Sequence, residues 1–327
     1  MPQTFGITTT VPVEIIYAAG HRPLDLNNIF IADTHREEMI ALAERGGFPV
    51  GVCAWIKGLY AAAISGKVDQ VVCVVNGDCS NSVALGQVLT HRHVKVLEFA
   101  FPHRRDPRLI AAAIDDFAIQ IGATPDRIAD WKNRLDKIRS KLIELDELTW
   151  KTGMVTGKEN HLWLVSASDF EGDPDGFEHR LDQFLIQAKT REPKSADLRI
   201  GVIGVPTIFD DLYESLEERN VQVVFNEVQR QFAMPSLAPD LVSQYEQYTY
   251  PFDLPFRIED IAQEVKRRKI DGLVHYIQSF CHRQIEDIVI REKVGVPVLS
   301  VEADNPGPVD GRTMTRIDAF LEMLRGN

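Results

Sequence analysis

Two stretches of the chain, VDQVVCVVNGDCSNS and IDGLVHYIQSFCHRQ, share more than an apolar pattern. In each, an aspartate (Asp69, Asp271) opens an apolar run and a cysteine (Cys79, Cys281) follows ten residues later (79 − 69, 281 − 271). A helical segment and a second apolar run come next, VKVLEF from Val94 and VPVLSV from Val296. The offset is constant, because 271 − 69, 281 − 79 and 296 − 94 all equal 202. Any two β–loop–α–β units share apolar positions. An aspartate and a cysteine at one gapless offset go beyond that, and the spacing predicts a duplicated parallel α/β unit. Ligands of such sheets bind beyond the carboxyl ends of the strands, where the loops and helix N-termini lie, and both cysteines fall there. A helix N-terminus also favours a thiolate by its partial positive charge.

The rest of the chain fits around this pair. At 327 residues there is room for about two domains with separate cores. Before residue 105, helical patterns run over 11–20, 35–47, 53–66 and 82–89, with strands over 68–76 and 94–102 and a short strand within PLDLNNIFI. Residues 106–195 read as helices throughout. Asp106-Pro107, Thr124-Pro125 and Asp173-Pro174 each set a capping residue before a proline. Strand signals return over 198–206, 221–226, 270–279 and 296–304, separated by helical patterns except for an irregular, Pro- and aromatic-rich stretch over 227–256. The expected fold is α/β: two similar parallel-sheet, Rossmann- or flavodoxin-like domains (1–105 and 196–327) with a helical insertion (106–195) between them.

A net charge of −12 argues against nucleic acid as the main partner. A basic run, His91, Arg92, His93, His103, Arg104, Arg105 and Arg108, is either a local anion pocket or a solvated surface. No run approaches the ~18 apolar residues of a membrane span, and the first residues lack a secretory pattern, so the expected location is cytoplasmic. The four cysteines include no C-x-x-C pair, which leaves a zinc ribbon or a thioredoxin-type site without support. Cys73 lies inside the run VVCVV and reads as core. Cys53 opens a helical pattern, as Cys79 and Cys281 do. Two facing domains would bring these three thiols into one cleft.

At these residues the sequence resembles the D-component subunits of 2-hydroxyacyl-CoA dehydratases, relatives of the ATP-dependent benzoyl-CoA reductases. The resemblance rests on VPVEIIYAAGHRP, on DQVVCVVNGDCSNS, and most closely on IDGLVHYIQSFCHRQIEDIVIREKVGVPVLSVEAD followed by RIDAFLEML. It implies a [4Fe–4S] cluster in the inter-domain cleft, held by Cys53, Cys79 and Cys281, with one iron left open. The implied reaction removes water from a 2-hydroxyacyl-CoA by way of a substrate ketyl radical, after one electron arrives from a separate ATP-dependent iron–sulfur activator. The chain has no G-x-x-x-x-G-K-[ST] loop of its own, in keeping with that division. A related sister subunit, or a second copy of the chain, completes the implied assembly. A low-potential reductase subunit acting on another small molecule, and a non-catalytic electron-relay subunit, use the same ligands and remain alternatives. The sequence departs from many family members at Asn226, Glu227 and Arg230. Glu227 is the candidate acid/base or pocket residue there, or else a salt-bridge partner of Arg230. Ser80 and Ser82 are candidates to approach the open iron or to cap the helix that follows, and His282 to bond a cluster sulfide or to begin a helix.

Overall fold

A computed structural model describes residues 1–326. Its strands are β1 (Thr4–Ile7), β2 (Arg22–Asp25), β3 (Gln70–Asn76), β4 (Val96–Ala100), β5 (Leu198–Gly204), β6 (Val221–Asn226), β7 (Gly272–Ile277) and β8 (Val298–Glu302). They form two four-stranded sheets, ordered β2-β1-β3-β4 and β6-β5-β7-β8, with every pairing parallel. The expected pair of similar parallel-sheet units is therefore present, and the two share one strand order. In each, the chain leaves the first strand to one side and returns on the other. The crevice at such a reversal, between β1 and β3 or between β5 and β7, is where parallel sheets bind ligands.

The repeated aspartates explain part of the shared register. Asp69 accepts from the Thr4 amide (Oδ2, 2.7 Å) and donates its own amide to the Thr4 carbonyl (2.8 Å). Asp271 does the same with Arg199 (2.7 Å and 2.8 Å). Each aspartate thus ties the entry of its sheet's third strand to the neighbouring first strand. Strand β1, four residues ending in a threonine run, lies at the centre of its sheet, where no strand was expected.

The helices Pro107–Ile121, Pro125–Glu147, Gly157–Ser166 and Pro174–Ala188 pack with the first sheet into the first large core, with Leu135, Ile138, Leu145, Phe177 and Leu181 fully buried. The same layer reaches the second sheet through Arg268, which is fully buried and binds Asp146 with both terminal nitrogens (2.8 Å and 2.5 Å). The stretch expected to be irregular contains two short helices, Glu227–Phe232 and Leu241–Glu246. The basic run divides. His91, Arg92 and His93 are exposed before β4, and His103, Arg104, Arg105 and Arg108 are exposed beyond its far end, so no single anion pocket forms.

Two glycines fix close approaches near the cleft. A Cβ at Gly58 would overlap the Phe30 ring, so the helix Ala54–Ile64 lies directly on the helix Leu26–Ala32. Gly204 ends β5 at φ +102°, a conformation that favours glycine, and a Cβ there would overlap the Tyr276 carbonyl.

Candidate functional site

The three thiols enter the cleft from helix beginnings. Cys53 is the N-cap of the helix Ala54–Ile64 and Cys79 the N-cap of the helix Ser80–His91. Cys281 stands two residues before the helix Arg283–Lys293, in a turn closed by its amide on the Gln278 carbonyl (3.0 Å). Neither N-cap cysteine makes a side-chain capping bond, so both sulfurs are left to face outward from the helix end. All four cysteines are free, and Cys53, Cys79 and Cys281 share the wall of one cavity of ≈260 Å³. Thr8 and Thr9 follow β1, and Val205, Pro206 and Thr207 follow β5; they line it too, which puts the cavity at the carboxyl ends of both sheets.

The Gln278 side chain reaches across the cleft. Gln278, just past β7, accepts from Cys53 Sγ (2.7 Å) and from the Ala54 amide (3.0 Å) through the same Oε1. Its Nε2 is buried and has no partner among the described residues. Burial pushes the Cys53 thiol up to about 12, and the neighbouring Cys79 and Cys281 add to the rise. Burial, then the Asp78 carboxylate, raises Cys79. At neutral pH these two sulfurs hold their protons, and a thiophilic metal would displace them on binding. Among the described residues no three His, Cys, Asp or Glu side chains close on a single-ion site. A polynuclear iron group takes its thiolates on separate irons, which sets them further apart than one ion would. An all-thiol donor set, with an orphaned amide N–H beside one sulfur, fits such a group.

Cys73 is apart from this. It is fully buried in β3, and its Sγ donates to the Ser82 carbonyl (3.0 Å). Ser82 lines the cavity without capping its helix. Its hydroxyl donates to Asp78 Oδ2 (2.7 Å), and Tyr250 donates to Asp78 Oδ1 (3.2 Å). His282 is the N-cap of its helix and lines the same cavity.

Glu227 is placed elsewhere. It is buried off the cavity lining, where Arg257 donates to both its oxygens (2.6 Å and 2.8 Å) and the Gly204 amide to one (3.0 Å). Burial works to raise its carboxyl, but Arg257 prevails and holds it below the usual carboxylate range. Arg230 pairs with Asp260 (2.5 Å and 2.6 Å), so the Glu227–Arg230 pair does not form. Both of Glu227's oxygens are committed, and its contribution is to Arg257, which also binds Glu286 on the Cys281-proximal helix. Gln278 and His161, which reaches the cavity from the helical layer, went unrecognised in the sequence. Neither carries a local signal, since each matters only through a distant contact: Cys53, 225 positions back, for Gln278 and Gln229, 68 positions on, for His161.

Two parallel-sheet units meeting at a cleft edged by three free thiols define a class: α/β proteins of two similar units with a cysteine-lined cavity at the carboxyl ends of both sheets. Residues 8–324 match the family described as HGD-D: 2-hydroxyglutaryl-CoA dehydratase, D-component, and the chain belongs to that family. A relative is the (R)-phenyllactyl-CoA dehydratase beta subunit of Clostridium sporogenes, 21% identical over 347 aligned positions that cover 96% of this chain and 89% of the relative. A solved structure, a zinc-bound mutant of AdcAII from Streptococcus pneumoniae, aligns over 100% of this chain and 99% of its own at 11% identity with a TM-score of 0.20, too low to bear on the fold. No described helix is long and apolar enough to cross a membrane.

Proposed function

We propose that this chain is the cluster-bearing subunit of a 2-hydroxyacyl-CoA dehydratase-like lyase, with Cys53, Cys79 and Cys281 holding a [4Fe–4S] cluster. The observation that carries the reading is the meeting of these three free cysteines in one cavity at the carboxyl ends of both sheets. When bound, the cluster supplies one-electron chemistry, which the loss of water from a 2-hydroxyacyl-CoA needs because the hydrogen removed sits on an unactivated carbon.

The chain's own residues supply the container. Ile31, Trp55, Ile56, Leu59, Val165 and Phe232 give the cavity an apolar wall suited to an acyl chain. Thr8, Thr9 and Thr207 give it a polar edge beside the strand ends. The family assignment and the dehydratase subunit among the relatives support an acyl-CoA substrate and, from the relative's designation as a beta subunit, a related sister subunit. A second copy of the chain is the other assembly to test. The absence of a P-loop from the sequence supports a separate ATP-dependent activator. The reading is of a cytoplasmic enzyme.

The test is anaerobic reconstitution with iron and sulfide. The wild-type chain and Cys73→Ala take up iron and acid-labile sulfide in a one-to-one ratio, and Cys53→Ser, Cys79→Ser and Cys281→Ser each lose most of it. Full retention of iron in the Cys79→Ser, Cys281→Ser double variant would sink the ligand assignment. A loaded chain that binds no acyl-CoA would point to the reductase or electron-relay reading.

A further inference from the structure

His161 brings an imidazole from the helical layer to the cavity lining, where Ser166 of the same helix adds a hydroxyl. His161 lies on the helix Gly157–Ser166, whose first turn is fixed by reciprocal capping: the Glu159 amide donates to Thr156 Oγ1 (3.1 Å) and the Thr156 amide to Glu159 Oε2 (2.9 Å). The imidazole stacks on Tyr213, with ring centroids 5.2 Å apart. Its Nδ1 lies 2.9 Å from Nε2 of Gln229, a buried residue on the helix that follows β6. An amide nitrogen only donates, so Nδ1 presents its lone pair and the ring proton sits on Nε2. The contact with Gln229 engages Nδ1 and leaves Nε2 to another partner. Burial, with Lys158 adding to it, pushes the imidazole down to about 4, so the ring stays neutral near pH 7. The neighbouring wall is apolar, formed by Leu162, Val165 and Phe232.

We infer that His161 donates a hydrogen bond from Nε2 to the thioester carbonyl oxygen of an acyl-CoA held in this cavity. The identity of the ligand rests on the function proposed above; the donor, its tautomer and its direction rest on the geometry. A neutral N–H suits a neutral oxygen, where a carboxylate or phosphate would call for a cation. A carbonyl oxygen only accepts and this nitrogen only donates, so the match is complete without a water between them. The ring is held on one side by Gln229 and on its face by Tyr213, so little freedom is lost when the ligand arrives. The same oxygen gains negative charge whenever a thioester is reduced or enolised, and a donor already aimed at it stabilises that change.

The experiment compares two probes on the purified full chain, hexanoyl-CoA and S-hexyl-CoA, which has CH2 in place of the carbonyl. The wild type binds hexanoyl-CoA about tenfold more tightly, the scale of one hydrogen bond in a desolvated site. His161→Phe abolishes that preference and leaves S-hexyl-CoA affinity within about twofold, while His161→Gln, which keeps an N–H at similar reach, restores part of it. Imidazole nitrogen NMR of the wild type shows the Nε2–H tautomer without titration between about pH 6 and pH 8, and its Nε2 signal shifts with hexanoyl-CoA but not with S-hexyl-CoA. Equal affinity of the wild type for the two probes, equal losses of both in His161→Phe, or an Nδ1–H tautomer overturns the inference and leaves the proposed function standing. Failure of the wild type to bind either probe overturns the acyl-CoA reading and the inference with it.

Discussion

Replacing Glu227 by Gln separates a structural carboxylate from a catalytic one. Glu227 and Arg257 are 1% and 3% exposed, and the pair is joined by two short bonds with a third from the Gly204 amide. A Gln side chain keeps the shape but turns one acceptor into a donor that faces a guanidinium N–H. Arg257 then keeps only Glu286 as a charged partner. Removing one member of a buried pair costs about 3–5 kcal/mol, and the presence of Glu286 places this case near 3 kcal/mol. At roughly 2 °C per kcal/mol for a large domain, Glu227→Gln melts about 6 °C below the wild type. The double replacement Glu227→Leu, Arg257→Met removes both charges and returns to within about 1 kcal/mol of the wild type. The pH dependence has a definite sign. The folded carboxyl is held below its unfolded value, so its contribution is complete above the unfolded pKa of about 4.3 and is lost as pH falls through the folded value. The gap between wild type and Glu227→Gln is therefore flat from about pH 6 to pH 8 and narrows only in acid. Melting curves across that range are the assay. A gap of under 1 °C at about pH 7, or one that changes between about pH 6 and pH 8, would refute the reasoning, because a carboxyl titrating there is free to act as an acid.

Other substitutions probe the frame of the site. Asp69→Ala and Asp271→Ala each cost about 1 kcal/mol and speed amide exchange at Thr4 and Arg199 respectively, since each removes the same strand-to-strand bond from its own sheet. Gly58→Ala costs about 2 kcal/mol or more in thermal melting and lowers iron uptake, because the helix that starts at Cys53 has to move off Phe30. Cys73→Ala costs about 1–2 kcal/mol as a core truncation and leaves the iron content unchanged.

What the sequence made legible follows from how local each signal is. Strands β3, β4, β7 and β8 are apolar runs of five to seven residues bounded by turns, and they can be read directly. Strand β1 is TFGI, four residues with a glycine inside and three threonines beyond. It is central only because it pairs with both β2 and β3, a long-range fact that no window of sequence contains. The helices Glu227–Phe232 and Leu241–Glu246 have six residues each, under two turns, too short for apolar periodicity to emerge from a Pro-rich stretch. Cysteine positions at helix starts could be read from spacing. Gln278, His161 and the Glu227–Arg257 pair could not, because ordinary polar residues acquire their roles only when distant helices and loops close around the cleft.

The duplication also explains why the cleft is not symmetric. The helices Ala54–Ile64 and Leu254–Arg268 start at the corresponding point of each unit, and their N-caps, Cys53 and Asp253, are 200 positions apart (253 − 53). Asp253 caps its own helix by accepting from the Phe256 amide, as N-cap residues usually do. Cys53 cannot do this well, and its helix makes no such bond; instead its Sγ and the Ala54 amide turn to Gln278 of the other unit. One unit thus brings two thiols and the other brings one, together with the amide that spans the gap. Two identical units would present thiols in pairs about their axis. A cysteine on one side where the other side has a capping aspartate gives an odd number of thiols in a lining that also includes His161 and apolar side chains. Cys53, Cys79 and Cys281 are thus the residues that would hold the proposed thiolate-ligated group, and the apolar wall beside them would remain for substrate.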